Sequence, residues 1–152
     1  MSAEGGREPE ICNCLALRQA ARHVSNFYDG FLAPTGLRTS QFSILVRLQW
    51  KGPMSINALA AELLLDRTTL GRNLLPLKRA GLIAITRGRT DRRSREVSLT
   101  AAGVERMRAG IKRWAAAQRE FETRFGSTRT ARLRGLAHAV TASDLGNGGA
   151  LP

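Results

Sequence analysis

The sequence predicts a mainly α-helical fold with one small β-hairpin, and three observations support this class. Stretches at both ends, 11–32 and 101–125, carry apolar residues at steps of three and four, the period of an α-helix. Shorter stretches between residues 39 and 81 show the same period and begin at residues typical of helix caps. Two apolar runs, 82–86 and 97–99, flank an Arg-rich turn and predict a hairpin.

The first helix is expected from Ile11 to Leu32, where a Pro and a Gly within 33–36 end it. Thr39 is predicted to cap the second helix, because a hydroxyl before an apolar periodic stretch can accept a backbone N–H. Gly52 and Pro53 cannot continue that helix, so we expect it to end there.

Two short helices follow. Ser55 is predicted to cap the third helix and Asp66 the fourth, with Gly81 as the stop of the fourth. Pro76 should kink or shorten the last turn of the fourth helix, because it removes a backbone hydrogen bond. Its inward residues are expected to be Leu70, Leu74 and Leu77.

The long helix that begins after Thr100 keeps a strict 3–4 apolar spacing over three heptads. Such a stripe predicts a seam that packs against a partner helix. The expected seam residues are Val104, Met107, Ile111, Trp114 and Phe121. A last helix near 128–142 also has an apolar side, so the long end helices together predict a dimer interface.

The charge balance indicates a polyanionic partner. Among 152 residues there are 24 Lys and Arg against 12 Asp and Glu, a formal net charge of +12. All the basic residues except Lys51, Lys78 and Lys112 are arginine, the side chain that binds phosphates and guanine edges in a fork. An anionic membrane is the competing partner, but no apolar run approaches the ~18 residues of a spanning helix.

The two ends, 1–9 and 143–152, are rich in Gly, Pro and polar residues, and we expect frayed tails there. The first residues lack the apolar core of a secretory signal. Cys12 and Cys14 point to different sides of a helix, so we expect free thiols in a reducing cytoplasm rather than an intrachain disulfide.

The span 67–95 contains nine basic side chains and one acid, Asp91. A short helix with Thr, Asn and Arg, followed by a basic hairpin, can occupy one DNA groove and reach the next, as in a winged helix-turn-helix. The expected DNA-binding residues of the helix are Arg67, Thr68, Thr69, Arg72 and Asn73; those of the hairpin are Arg89, Asp91, Arg92, Arg93 and Arg95. If each subunit of a dimer neutralises ~4 phosphates, the salt slope of DNA binding would be about −7.

Several motifs, in this order and spacing, resemble the MarR family of bacterial winged-helix regulators over residues 11–142. They are Gly-Leu-Arg-Thr-Ser-Gln-Phe (36–42), Leu-Ala with a later Leu (59–63), Arg-Ala-Gly-Leu-Ile (79–83), Asp-x-Arg-x-Arg (91–95) and Leu-Thr-x-x-Gly (99–103). The resemblance implies a homodimer on a pseudo-palindromic double-stranded operator. We expect no cofactor. It also implies a DNA-binding domain at 37–100 and a helical dimerisation domain from 10–36 and 101–142.

In the wing, Arg93 and Arg95 are two apart and would share one face of a strand, and Asp91 could pair with one of them. The resemblance implies that Arg93 enters the minor groove and that Arg95 is the partner of Asp91.

The resemblance also implies control by a small, often aromatic or anionic, effector in a crevice between the two domains. Cys14, with Tyr28 fourteen residues later, is similar to the organic-hydroperoxide-sensing branch, although Arg18 stands where that branch has a second tyrosine. One helix places Cys14 and Tyr28 ~21 Å apart, so they could meet only across a dimer. Thiol oxidation, an organic effector and no effector all remain open, as does an inert Cys14.

Other function classes fit less well. His23 and His138 have no Ser, Cys or carboxylate in a recognisable catalytic arrangement, so we expect no enzyme. The cysteines and histidines lack zinc-ligand spacing, and the basic region has no aromatic residue for stacking on RNA bases. The serious alternative is a non-specific architectural DNA-binding protein, which the charge alone would support.

Overall fold

The computed structural model describes residues 11–145. Six α-helices and three short strands make up this part of the chain, which confirms the mainly α-helical fold with a small sheet. In order, they are α1 (Asn13–Leu32), α2 (Thr39–Lys51), β1 (Met54–Ser55), α3 (Ile56–Glu62), α4 (Arg67–Arg79), β2 (Ile83–Arg87), β3 (Arg95–Leu99), α5 (Ala101–Phe125) and α6 (Ser127–Ala142). A 3-10 turn, Ala33–Thr35, connects α1 to α2.

Most of the expected helix ends are confirmed. Ser55 and Asp66 accept backbone N–H groups at the starts of α3 and α4. Gly52 and Gly81 follow α2 and α4 with φ values of 78° and 69°, a left-handed conformation that favours glycine. Thr100 accepts the N–H of Gly103 at the start of α5 through its hydroxyl.

Other helix ends differ from the prediction. Helix α1 begins at Asn13 rather than Ile11, because Cys12 is the cap and its Sγ accepts the Leu15 N–H at 3.4 Å. Thr39 is the first residue of α2 and not its cap. Its N–H and hydroxyl both donate to the carboxylate of Asp29, at 2.6 and 2.7 Å.

Pro76 does not end α4, which continues to Arg79. The N–H of Ala80 still donates to the Pro76 carbonyl at 3.0 Å, so the turn after the proline is closed normally.

The sheet is antiparallel in the order β1-β3-β2. Val97 lies at its centre, opposite Met54 on one side and Ile85 on the other, and is fully buried. The pair β2–β3 confirms the hairpin, whereas β1 was missed. Two residues are too few for an alternating pattern, so β1 exists only because β3 pairs with it.

The chain divides into two compact units, one up to Trp114 and one from Ala115 onward. The first unit has a single core cluster built from α2, α3, α4 and the sheet, to which the end of α1 and Met107 of α5 also belong. In the second unit, the ring centroids of Phe121 and Phe125 are 5.5 Å apart and the Arg129 guanidinium lies 4.9 Å from the Phe125 ring centroid.

Two glycines let α5 pack closely against this core. A Cβ at Gly103 would collide with the Leu82 carbonyl, and one at Gly110 would lie 2.7 Å from the Phe42 ring. Met107 lies between them on the same helical face and is only 4% exposed. Its assignment to the intermolecular seam is therefore wrong, because this side chain is already buried within its own chain.

Candidate nucleic-acid interface

Helix α4 begins at a firmly capped N-terminus. The Asp66 carboxylate accepts the Thr69 N–H at 2.8 Å and the Thr69 hydroxyl at 2.7 Å. The hydroxyl of Thr69, followed by its N–H, holds the pKa of Asp66 below its usual range. Thr69 is half-buried and its hydroxyl donates to its own helix cap, so it holds the start of the helix in place.

The buried side of α4 confirms the expected stripe of Leu70, Leu74 and Leu77. The opposite side leaves Arg67, Thr68 and Arg72 exposed. Leu75 lies one turn beyond Arg72 and is 47% exposed, although it is apolar. We did not predict from the sequence that Leu75 belongs to the DNA-binding face. It is not part of the buried stripe of Leu70, Leu74 and Leu77, so it lies on the outer face of α4. This face can offer both charged and apolar contacts to a groove.

Asn73 is half-buried and bonded to the protein at both ends of its amide. Its Nδ2 donates to the Thr69 carbonyl at 3.0 Å, and its Oδ1 accepts the Ser40 hydroxyl at 2.8 Å. Asn73 thus connects α4 to the start of α2. Sequence reasoning missed Ser40, because 33 residues separate it from Asn73 and no local pattern links them.

The wing turn between β2 and β3 is built around Asp91. The Asp91 carboxylate accepts the N–H of Arg93 at 2.9 Å, and its carbonyl accepts the N–H and hydroxyl of Ser94 at 3.1 and 2.8 Å. Gly88 closes the turn by donating to the Ser94 carbonyl at 2.9 Å, and a Cβ at Gly88 would collide with the Ser94 hydroxyl.

Two expectations for the wing are therefore corrected. Arg93 lies in the turn and only Arg95 is on the strand, so the two do not share a strand face. Among the described residues Asp91 forms no ion pair with Arg95, because its carboxylate serves the backbone of the turn instead. The side chain of Arg93 is left exposed at the tip.

All nine basic side chains of the span 67–95 are exposed. Of these nine, only Arg89 has an acidic partner among residues 11–145, Glu96 at 3.7 Å, and the Arg89 side chain is 84% exposed. Such a pair is weak in water. The face formed by α4 and the wing therefore carries a dense, nearly uncompensated positive charge, which attracts a polyanion.

Of the candidate sensing residues, Cys14 and Arg18 lie together, and Tyr28 lies apart from them within the chain. Cys14 and Arg18 are exposed beside a shallow cleft of about 420 Å³, which Cys12 and Arg22 also line. Tyr28 is half-buried further along α1, with its ring centroid 5.7 Å from that of Phe27. The exposure of Cys14 contradicts a place in the core of its own chain.

The remaining seam candidates are more accessible than Met107. Ile111 and Trp114 are 42% and 39% exposed, and Val104 and Phe121 are half-buried. In α1, Leu15 and Leu17 are 41% and 51% exposed.

Among residues 11–145, no helix combines the length and the apolar character that a membrane-spanning segment needs. The same residues contain no group of three or more His, Cys, Asp or Glu side chains that could hold a metal ion.

A three-helix lobe with a β-hairpin wing and a cationic outer helix defines a winged helix-turn-helix protein. The model of the MarR family matches residues 37–94. The M. tuberculosis transcriptional regulator MosR, solved in complex with DNA, is 32% identical over 86% of this chain and 97% of its own, with a TM-score of 0.73. The chain belongs to the MarR family and is a DNA-binding transcriptional regulator.

Two further solved structures share the fold. A probable transcriptional regulator from Pseudomonas aeruginosa is 27% identical over 86% of this chain and 98% of its own, with a TM-score of 0.77. A mutant of E. coli MarR complexed with operator DNA is 19% identical over 82% and 90% of the two chains, with a TM-score of 0.74, and supports the fold alone. No curated protein matches the sequence.

Proposed function

We propose that this regulator acts as a homodimer that binds a pseudo-palindromic operator and represses the adjacent genes. The observation that carries the proposal is the exposed face of α4 beside a wing whose arginines, apart from Arg89 near Glu96, lack acidic partners among the described residues. In each subunit α4 would enter a major groove and the wing the flanking minor groove. Because the protein must bind its operator, we expect it in the cytoplasm. We also expect it to have no catalytic role.

The residues would divide into two groups by the kind of contact they make. Thr68 and Arg72 are exposed and would contact base edges, whereas Arg67 at the start of the helix would bind a phosphate group. Arg93 would enter the minor groove, and the other exposed wing arginines, Arg89, Arg92 and Arg95, would add phosphate contacts. Asp91, Thr69 and Asn73 would act indirectly, by holding the wing turn and the helix in position.

The dimer would form through apolar side chains that the single chain leaves accessible. These include Ile111 and Trp114 of α5 and Leu15 and Leu17 of α1. In α6, Leu136 is 66% exposed. Burying such side chains against a second copy is favourable by roughly 25 cal/mol per Å² of apolar surface.

The test is a footprinting experiment on fragments of the protein's own promoter, with unrelated duplex as competitor. A specific regulator protects one palindromic site at a salt concentration that releases bulk DNA. The net charge of +12 favours the second candidate, a non-specific architectural protein, which would coat all fragments equally. Equal coating of all duplexes would therefore contradict operator recognition.

We also propose that the affinity for DNA falls when a small organic effector binds or when Cys14 is oxidised. The exposed position of Cys14 near Arg18 supports access by an oxidant. The experiment treats wild type and Cys14→Ser with cumene hydroperoxide and measures DNA release. A Cys14→Ser protein that releases DNA as the wild type does would exclude this thiol and leave the organic effector.

A further inference from the structure

The outer face of α4 includes two residues to which no DNA contact is assigned above, Gly71 and Leu75. Together with Thr68 and Arg72 they fall within a sector of about 100°, because successive residues of an α-helix are about 100° apart around its axis. The buried leucines of α4 lie on the opposite side of the helix. All four residues of the sector are exposed. The face that would meet the base edges therefore also contains a position without a side chain and an apolar position.

The fold of the chain gives no reason for a glycine at position 71. Gly71 does not have a positive φ, so the backbone conformation does not require glycine there. A Cβ at this position would meet nothing within 4 Å beyond its chain neighbours and the backbone of its own helix, whereas a Cβ at Gly103 or Gly110 would collide with the core. Glycine is less favourable than alanine in a helix interior. Packing and stability within the chain thus favour alanine at position 71.

A position without a side chain lets a partner approach the backbone of the helix closely. An α-helix with its side chains is about 10–12 Å wide, and the major groove of B-DNA is about 12 Å wide, so a helix nearly fills the groove. A glycine on the side that faces the base edges lets the helix axis lie deeper in the groove. The side chains of Thr68 and Arg72, next to Gly71 on the same face, then reach further toward the bases.

Leu75 adds an apolar side chain to the same face. It is 47% exposed and lies seven residues after Thr68, which is about 10 Å along the helix axis. Base pairs are spaced about 3.4 Å apart, so Leu75 and Thr68 would contact different base pairs. The apolar group that base edges present in the major groove is the C5-methyl group of thymine.

We propose that Gly71 and Leu75 determine how α4 fits its operator. Gly71 admits the helix close to the base edges, and Leu75 contacts the methyl group of one thymine in each half of the palindrome. This inference rests on the proposed function and specifies the DNA sequence that the same face recognises. Burial of one methyl group is worth roughly fourfold in affinity, so the two halves of the palindrome together contribute roughly fifteenfold.

The first experiment replaces Gly71 by Ala in the full chain and measures both thermal unfolding and affinity for the operator that footprinting locates. Because the added Cβ meets open space, the Tm should rise by about 2–4 °C. The affinity for the operator should nevertheless fall about tenfold, the effect of losing one base contact. A residue with only a structural role would not change stability and binding in opposite directions.

The matched control is Gly135→Ala in α6, where a Cβ also meets open space in a helix. It should raise the Tm in the same way and leave the affinity for the operator unchanged, with sedimentation to verify the dimer. If Gly71→Ala binds the operator as tightly as wild type or more tightly, close approach at position 71 is excluded.

The second experiment compares wild type with Leu75→Ala on operators in which matched thymines of the two halves are replaced by uracil. This replacement removes the methyl group and keeps the base pair. Uracil at one position in each half should weaken the binding of wild type roughly fifteenfold, whereas Leu75→Ala should bind the thymine and uracil operators equally well. Uracil effects of the same size in both proteins at every position, or no effect at any position, would overturn the thymine contact. A Leu75→Ala variant that sediments as a monomer would assign Leu75 to the dimer interface and would also overturn it.

Failure of the proposed function gives a different result. If footprinting finds no protected site, operator recognition itself is contradicted, and the fit of α4 to an operator is contradicted with it. If a palindromic site is protected but neither Gly71→Ala nor Leu75→Ala changes its recognition, operator binding stands and only the roles of these two residues are refuted.

Discussion

Replacing Arg93 by Gln tests the role of the wing without disturbing its structure. The wing turn depends on the backbone N–H of Arg93, which donates to Asp91 at 2.9 Å, and not on the Arg93 side chain. Because that side chain is exposed, the substitution should leave folding and dimerisation unchanged. A change in DNA affinity then reports on the DNA contact alone.

The size of the effect follows from the charge count. A dimer loses two exposed guanidinium groups, and each phosphate contact contributes about 0.9 to the salt slope, so a slope near −7 should flatten to about −5. If Arg93 also reads the minor groove, affinity for the operator should fall by a further ~1–3 kcal/mol per lost specific contact.

The assay is fluorescence anisotropy with a labelled operator duplex at several salt concentrations, with sedimentation to verify the dimer. Arg119→Gln is the matched control, because Arg119 is an exposed arginine of α5 that lies outside α4 and the wing. An unchanged slope and affinity for Arg93→Gln, with the dimer intact, would remove the wing tip from DNA binding.

Three further predictions concern packing and assembly. Ser40→Ala breaks the hydrogen bond to Asn73. It should lower the free energy of unfolding, measured in urea titrations, by ~0.5–1 kcal/mol, and it should weaken operator binding. Unchanged operator binding would show that this contact does not orient α4. Trp114→Glu places a charge in the expected seam and should give monomers in sedimentation, whereas a dimer of normal mass would refute the seam. Gly103→Ala introduces a collision with a backbone carbonyl and should destabilise the first unit by ~1–3 kcal/mol. Gly135→Ala, which meets open space in α6, should stabilise by ~0.5–1 kcal/mol, and equal effects of the two glycine changes would contradict close packing at position 103.

Much of the fold could be predicted because its signals are local. The caps at Ser55 and Asp66, the stop at Gly81 and the buried leucines of α4 all depend on residues within a few positions of each other. The hairpin β2–β3 was also recognisable, since both strands are apolar runs on either side of a basic turn. The family motifs added the order of these elements.

The wrong predictions are of two kinds. In some, a residue bonds to a partner that lies far away in the sequence; in others, one sequence pattern fits two different structures. Thr39 looks like a cap by sequence, but its hydroxyl donates to Asp29 of the preceding helix. Asp91 and Arg95 have opposite charges at short spacing, yet the carboxylate is used by the turn backbone. Met107 fits a heptad seam by spacing, but spacing does not reveal which partner a face of α5 will meet.

The amino-acid sequence alone determined the class of every helix and of the strands β2 and β3, the basic character of the region 67–95 and the family, because periodicity, caps and charge are properties of neighbouring residues. Only the tertiary structure decided that Asn73 and Asp91 are bonded internally, that Met107 lies in the core, and that Arg106 of α5 donates a hydrogen bond to the Thr35 carbonyl. These facts depend on side chains brought together across distances of up to 71 residues. Such contacts result from packing the whole unit, and no local pattern encodes them.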